Sequence, residues 1–457
     1  MSAQDTTRIN LLCRVIRRDI VKATTVAKSG HLSSSLSAVE LMATLFFDAH
    51  LRYDTKDPLY IGNDRVIFSK GHASPLLYAL WRAAGVISEK ELLTFRSIES
   101  PLEGHPTSRF PFADASTGSL GQGLSIGMGM AMYSQRYLSE SFHTYVLLGD
   151  SELSEGSNWE AIQSAPYNEV KNLTAIVDVN RLGQRGETML GYDLENYAQR
   201  FSSFGWKTIV LSDGHSLRDI SHAYTQARLA AKPVVILAKT VKGKGISFIE
   251  DRDGWHGVPL KEDQARRALA EIDAPNEALG TIATPPKNVK FIVRSRKAAF
   301  RITVPPRDAA PRSMYGMTAN QLFRTTPSLV ALDAEVSNST YAYPIAHTYP
   351  DRFFEMFIAE QHMVSMAVGL ALRNMHPLVS TFASFLTRAH DQIRMARYNN
   401  VAITFIGIHA GVSIGQDGVS QMGLEDLAMM RSIPDAVIFY PSDAVAAQKS
   451  HKASKRV

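Results

Sequence analysis

Cysteine is almost missing from this 457-residue chain. A single Cys13 excludes an internal disulfide and any cysteine-built metal cluster. Long apolar runs are absent too, none approaching the roughly 18–20 residues that a membrane span needs. Met1-Ser-Ala-Gln-Asp5 lacks the basic-then-apolar layout of a secretory signal. These absences predict a cytoplasmic protein with no membrane partner. Nor is there low complexity or a short-period repeat. With 45% hydrophobic and 20% charged residues, the composition excludes collagen-like, coiled-coil and disordered chains. The length allows two large domains or three ordinary ones.

Charge of one sign is scarce overall and concentrated in one place. The net charge is +5, from 49 basic and 44 acidic residues. Residues 286–312 hold eight basic side chains (Lys287, Lys290, Arg294, Arg296, Lys297, Arg301, Arg307 and Arg312) against one acid, Asp308. Pro285, Pro286, Pro305, Pro306 and Pro311 flank them, and only Phe291 and Phe300 are interleaved. Basic residues without aromatic platforms, set among prolines, predict a solvated linker rather than a nucleic-acid surface. The expected organisation is a domain over 1–280, a linker over 281–313 and a second domain over 314–457.

Both halves show short apolar runs alternating with helical stretches. In the first half the runs are Tyr145–Leu148, Leu173–Asp178, Thr208–Leu211 and Pro233–Leu237, with a helix over Leu217–Ala230. Ile9–Phe47 reads as two helices separated by Lys28-Ser-Gly-His31. In the second half the runs are Leu329–Leu332, Phe353–Ile358, Leu378–Thr381, Ile403–Gly407 and Ala436–Tyr440. Continuous apolar strands between helices predict an α/β protein with mainly parallel sheets covered on both faces. Ligands of such sheets bind beyond the carboxyl ends of the strands. There the sequence places Gly149-Asp150-Ser151-Glu152, Asn180–Gln184, Glu360-Gln361-His362 and His409-Ala-Gly411.

Several short patterns compete for these positions. Gly123-Leu-Ser125-Ile-Gly127 and Gly411-Val-Ser413-Ile-Gly415 match the nucleophile elbow of serine hydrolases. Neither has the strand before it together with the acid and histidine after it that the chemistry needs. Gly118-Ser-Leu-Gly121-Gln-Gly123 ahead of a helix could cradle a pyrophosphate, or be a tight packing turn. Asp150 and Asn180, at neighbouring strand ends, could aim oxygens at one Mg²⁺ or Ca²⁺. Taken alone, Asp150 after a strand is more often simply a helix N-cap. His31, His72, His105, His256 and His409 all lie in glycine-containing loops, where imidazoles can donate hydrogen bonds and move protons.

Taken together, these segments resemble transketolase, the thiamine-diphosphate enzyme, and most closely its animal-type branch. The matching stretches in the first half are Lys28–His31, Ser69-Lys-Gly-His-Ala73, Gly104-His-Pro106, Gly118–Gly123, Gly149–Gly156, Asp178–Gln184 and Trp255-His-Gly257. In the second half they are Asn338-Ser-Thr340, Ala359-Glu-Gln361, Ser380-Thr-Phe382, Asp391–Ala396, Gly411–Ser420 and Phe439–Asp443. They follow the family order from Lys28 to Asp443.

The resemblance implies two thiamine-diphosphate-binding-type domains and transfer of a two-carbon ketol unit from a ketose phosphate to an aldose phosphate. It implies Asp150, Asn180 and the Leu182 carbonyl as ligands of Mg²⁺ or Ca²⁺. His72, Gly118, Leu120, Gly149 and Ser151 would line the diphosphate. Phe382 and Phe385 would meet the pyrimidine ring, and Glu360 would bond its nitrogen. His31, His105, His256 and Asp417 match positions that bind sugar hydroxyls and relay protons. Arg312, Ser339 and His409 match positions that hold the sugar phosphate. Glu155 and Glu160 match acids that connect two cofactors across the interface of a homodimer.

Three local departures carry expectations of their own. Ser151 replaces the family glycine and is expected to crowd the diphosphate or strain its turn. Asp333-Ala334-Glu335 replaces a pattern richer in aspartate, and His362 stands where the animal branch has asparagine. The family pattern also continues beyond Tyr440–Asp443, whereas Gln448–Val457 has no apolar periodicity. The second domain is therefore expected to be incomplete, its remainder supplied by a separate C-terminal polypeptide or lost. The alternative function is a transketolase-like fragment, inactive or weakly active, that binds cofactor or dimerises with a partner chain.

Overall fold

The computed structural model describes residues 1–275, 277–292 and 309–453. Arg294, Arg296, Lys297, Arg301 and Arg307 of the expected linker, with Asp308, lie outside the described residues. Two compact units form: Met1–Gln135 with Glu140–Lys290, and Phe291–Val457 with Arg136–Ser139.

The first unit is built on five strands: β1 (Arg65–Phe68), β2 (Thr144–Gly149), β3 (Leu173–Val179), β4 (Lys207–Leu211) and β5 (Val234–Lys239). Their order is β1-β2-β3-β5-β4, and every neighbouring pair is parallel. Helices Gly156–Tyr167, Leu194–Ser203 and Leu217–Arg228 make the crossovers that parallel pairing requires. Both faces of the central strands are covered, so Val146, Leu147, Ile176, Val177 and Val235 are wholly buried. That burial is why the strands read as unbroken apolar runs. The edge strand β4 is less enclosed, and Val210 is 46% exposed. Strand β1 escapes the pattern reading because it has four residues and starts with arginine. Arg65 is nevertheless buried, held by Asp114 at 3.0 Å.

The N-terminal block has three helices rather than the expected two: Ala3–Val26, Leu32–Leu36 and Val39–Phe47. Lys28 and Gly30, both at positive φ, form the first break. The second break follows Ser37, whose hydroxyl bonds the Ser34 carbonyl at 3.1 Å and Asp178 at 2.6 Å. Serine hydroxyls that find such partners compete with the helix ladder.

At both ends of the span expected as linker the chain is packed or helical. Ile282 and Val289 are buried, Tyr53 N–H donates to Ala283 O at 2.8 Å, and Tyr60 Oη donates to Pro286 O at 2.6 Å. Residues 281–290 therefore pack onto the first unit, because their apolar side chains and proline-flanked carbonyls find partners there. At the other end, Pro311 and Arg312 open the helix Pro311–Thr325, with proline at the position where its missing N–H costs nothing.

The second unit carries β6 (Leu329–Asp333), β7 (Phe353–Glu355), β8 (His376–Phe382) and β9 (Thr404–Ile408) in the parallel order β7-β6-β8-β9. Strand β7 stops short of Ile358, and Phe357 sits at φ +54°. Ala436–Tyr440, expected to be a strand, is unpaired. Val437, Phe439 and Tyr440 stay 55%, 44% and 55% exposed. The run borders a cavity of about 950 Å³ that Thr404–Ile408 also line. β-propensity describes side chains, and a strand still needs a neighbouring backbone. No helix among the described residues is long and apolar enough to cross a membrane.

Candidate functional site

Because β1, β2, β3 and β5 run parallel, their carboxyl ends reach one edge of the first sheet. That edge receives Ser69–His72 from β1, Gly149–Ser151 from β2, Asn180–Leu182 from β3 and Thr240–Gly243 from β5. Asp178, the penultimate residue of β3, is the hub beneath it. It is wholly buried and accepts from Lys70 Nζ at 2.5 Å, Ser37 Oγ at 2.6 Å, Asn180 Nδ2 at 3.0 Å and Thr240 Oγ1. Burial pushes this carboxyl up, but Lys70 and the hydroxyl donors outweigh it and hold the group below its ordinary range. The bond from Nδ2 fixes the amide of Asn180, and its Oδ1 accepts from Leu182 N–H at 3.2 Å.

Asp150 joins the same group. Its Oδ1 accepts from Ser151 N–H at 2.9 Å, and its Oδ2 accepts from Arg181 N–H at 2.8 Å and Thr188 Oγ1 at 3.1 Å. Asp150 caps the 3-10 turn Ser151–Ser154 through one oxygen and bonds the residue after Asn180 through the other. Burial, then the neighbouring Asp178, push its carboxyl up to about 6. The Leu182 and Gly183 carbonyls accept from Lys242 Nζ at 2.6 and 2.9 Å. Burial, then Lys70, pull that ammonium down to about 8. Among the described residues no three His, Cys, Asp or Glu side chains group as a metal cluster. Asp150, Asn180 and the Leu182 carbonyl instead make a mixed oxygen set, the chemistry that suits a hard divalent cation.

Four of the five loop histidines meet here. The ring of His31 lies 5.1 Å from His72, 6.1 Å from His105 and 5.0 Å from His256, and His72 lies 5.3 Å from His256. Burial, then the neighbouring cations and imidazoles, keep them neutral: His31 falls to about 4, His256 to about 3, and His72 and His105 are also lowered. Among the described residues, Nδ1 of His31 and Oγ of Ser34 are buried without a hydrogen-bond partner. The loop Gly118–Gly123 closes over this cluster. Gly118 has φ +136°, and a Cβ there would meet His105 Cγ at 3.1 Å. A Cβ on Gly121 (φ +83°) would meet Glu155 Cβ at 2.6 Å. Leu120 is half-buried between them. Glycines, orphaned polar atoms and neutral imidazoles together fit a polar, anionic cofactor.

Ser151 does not strain its turn. It opens the 3-10 turn without a positive φ and stays exposed, so the conformation that would require glycine is not used. Glu155 is exposed at the start of the helix Gly156–Tyr167, and Glu160 is half-buried on it. Ser125 is buried within the helix Gly123–Tyr137, and Ser413 Oγ bonds the Ala410 carbonyl at 3.3 Å. Pattern reading missed Lys70, Lys242, Asp178 and Ser34. Lys70 and Asp178 sit inside the motifs quoted above, and Lys242 follows a strand that the pattern had located.

In the second unit Glu360 begins the helix Glu360–Ala371 and is 5% exposed, with Arg388 Nε 4.0 Å from its Oε2. A carboxylate is favoured at that helix end. Phe382, ending β8, and Phe385 stack with centroids 4.7 Å apart and planes 2° from parallel. His409, after β9, tilts against Phe382 at 4.7 Å, and its Nε2 accepts from Arg312 Nη1 at 3.0 Å. Burial, then Arg312, lower this imidazole, and Asp417 opposes them. Ser339 is half-buried in the turn before Tyr341, whose ring lies 5.6 Å from the Arg312 guanidinium. Arg312, His409, Phe382 and Phe385 are thus brought together, with Asp417 near enough to act on the His409 charge; Ser339 lies two residues before Tyr341, and Glu360 faces Arg388 of the turn that carries Phe385. Asp333 accepts from Thr340 Oγ1 and Ser380 Oγ, each at 2.6 Å, and from Val336 N–H at 2.8 Å. These bonds give it a structural role, and Glu335 beside it is exposed.

Comparison with known proteins agrees with this geometry. Residues 6–279 match the family described as transketolase, thiamine diphosphate binding domain, and residues 308–456 match transketolase, pyrimidine binding domain. The chain is 46% identical over 447 residues to the transketolase of Homo sapiens, covering 95% of this chain and 70% of that protein. It is 42% identical over 441 residues to transketolase-like protein 2 of Homo sapiens, with 95% and 70% covered. Among solved structures, the transketolase of Campylobacter jejuni superposes with a TM-score of 0.87 at 25% identity, over 100% of this chain and 77% of that one. The transketolase of Leishmania mexicana shares the fold, with a TM-score of 0.87 at 21% identity over 98% and 75%. With both domain models matched and the fold shared, the chain belongs to the transketolase family.

Proposed function

We propose that this chain carries out thiamine-diphosphate-dependent transfer of a two-carbon ketol unit between sugar phosphates. The observation that carries the reading is the strand-end cluster of the first unit. There an oxygen donor set, a glycine cradle and four neutral histidines meet.

Asp150, Asn180 and the Leu182 carbonyl would hold Mg²⁺, with His72, Gly118, Leu120, Gly149 and Ser151 lining the diphosphate. Bound thiamine diphosphate supplies the carbanion stabilisation that no amino-acid side chain offers. Glu360 would hydrogen-bond the pyrimidine nitrogen, and the stacked Phe382 and Phe385 would offer the ring an apolar face. His31, His105 and His256 would exchange protons with sugar hydroxyls, a task that suits imidazoles kept neutral at the working pH. Asp417 would bind a hydroxyl. Arg312 would clamp the sugar phosphate with His409 and Ser339, since guanidinium matches phosphate geometry. Glu155 and Glu160 would connect the two halves of a homodimer. A cytosolic setting suits the single, buried thiol of Cys13.

The deciding experiment is a ketol-transfer assay with thiamine diphosphate and Mg²⁺, run beside calorimetric cofactor binding. Turnover that disappears in Glu360→Gln is expected. Absence of both turnover and binding would overturn the reading. The exposed, unpaired Ala436–Tyr440 favours a second reading, a cofactor-binding chain that works only with a partner covering that run. Binding without turnover, with turnover restored by a C-terminal polypeptide, would support it.

A further inference from the structure

Glu152 takes no part in the site described so far. It lies in the 3-10 turn after β2 and is 2% exposed. Its Oε1 accepts from Ser69 Oγ at 2.5 Å and from Gly121 N–H at 2.9 Å. Its Oε2 accepts from Gly149 N–H at 3.2 Å. Ser69 Oγ in turn accepts from Gly123 N–H at 3.1 Å, and the Glu152 carbonyl accepts from Asn158 Nδ2 at 2.8 Å. One carboxylate therefore ties together the residue after β1, the Gly118–Gly123 loop and the end of β2.

Burying a carboxylate is costly, and a turn needed only for packing would be served by an apolar side chain. All three ties run to donors, and two of these are backbone N–H groups that cannot reverse their role. A neutral acceptor such as glutamine cannot satisfy both oxygen positions.

We propose that Glu152 is a positioning residue for the cofactor, its carboxylate locking the glycine loop and the Gly149–Asp150 turn in register before any ligand arrives. The proposal rests on the reading of these turns as the diphosphate cradle. One consequence is that the N–H groups of Gly121 and Gly149 are committed to Glu152 and are not offered to an anion.

The test compares the full chain with Glu152→Gln and with the milder Ser69→Ala. Backbone hydrogen exchange at Gly121, Gly123 and Gly149 is measured without cofactor, and thiamine diphosphate affinity is measured calorimetrically with Mg²⁺. Exchange at these amides should quicken in both variants. The dissociation constant should rise about 10-fold in Glu152→Gln and less in Ser69→Ala, the scale seen when supporting hydrogen bonds around a site are lost. A lower melting temperature with unchanged exchange and affinity would make Glu152 merely structural and overturn the proposal. A wild type that binds no thiamine diphosphate would overturn the diphosphate reading and the positioning role together. A wild type that binds, with variants that bind equally well, would overturn the positioning role alone. Ser69→Ala keeps the comparison decisive should Glu152→Gln fail to fold.

Discussion

In the first unit Asp178, Lys70 and Glu152 are buried and bonded, each to partners on other strand ends. In the second unit Asp333 and Glu360 are buried as well, but the charged groups next to the aromatic stack sit in the open: Arg388 is 71% exposed beside Glu360, and Asp417 is exposed beside His409. The contrast teaches that similar parallel sheets can present polar groups in two ways. One cluster is rigidified by a satisfied buried network, where polar groups bind strongly and orphans are costly. The other relies on an aromatic stack and a buried helix-end carboxylate, with Arg388 and Asp417 left to solvent and to whatever binds.

The sharpest way to break the comparison is Glu360→Gln. Under the proposed function it should lower ketol transfer about 10³-fold. Metal and cofactor binding by the first unit should persist, which calorimetry would check. Loss of binding as well would mean that the two clusters are not separable.

Asp178→Asn attacks the buried network instead. Removing one partner of a buried pair leaves Lys70 uncompensated, so urea unfolding should show a loss of about 3–5 kcal/mol. Through Asn180, metal affinity should fall about 10–100-fold. A neutral result in unfolding would show that the hub is dispensable.

The histidines set a pH signature. His31 and His256 have folded values depressed from the ordinary 6.5 to about 4 and about 3. Between those values and 6.5 the unfolded chain binds more protons, so stability is full above about 6.5 and is lost as pH falls below it. The cofactor-free melting temperature should therefore drop from pH 7 to pH 5. His31→Asn and His256→Asn should flatten the slope, with a remainder from His143 and His362, both held near 3 by burial. An unchanged slope would refute the neutral-imidazole cluster. Arg388→Ala should do least, since its guanidinium is solvent-exposed and reaches Glu360 only at 4.0 Å, a contact of about 0–1 kcal/mol. A change in turnover beyond about 5-fold would show that the open site is more organised than its exposure implies.

Much of this was legible in order of burial. The runs at β2, β3, β5, β6 and β8 were readable because both sheet faces are covered, which forces uninterrupted apolar residues. Strand β1 was hidden by its brevity and by Arg65, whose charge is neutralised only by the distant Asp114. Ala436–Tyr440 misled in the opposite sense, with strand-like residues that join no sheet among the described residues. Asp150, Asn180 and the glycine loop stood out by type and position. Asp178 and Glu152 did not, because a carboxylate next to a strand is ordinary until its donors are known.

The sequence by itself determined the α/β class, the positions of most strands and the residue types gathered at their carboxyl ends, since periodicity and burial are local consequences of composition. It also determined that the positive charge is local. Only the tertiary structure decided that residues 281–290 pack rather than dangle and that Arg312 belongs to a helix. It alone decided that four histidines far apart in the chain gather in one half-buried cluster, and that Glu152 joins three turns. Those outcomes depend on which donors and acceptors share a dry space. That is set by the pairing of strands and not by neighbours along the chain.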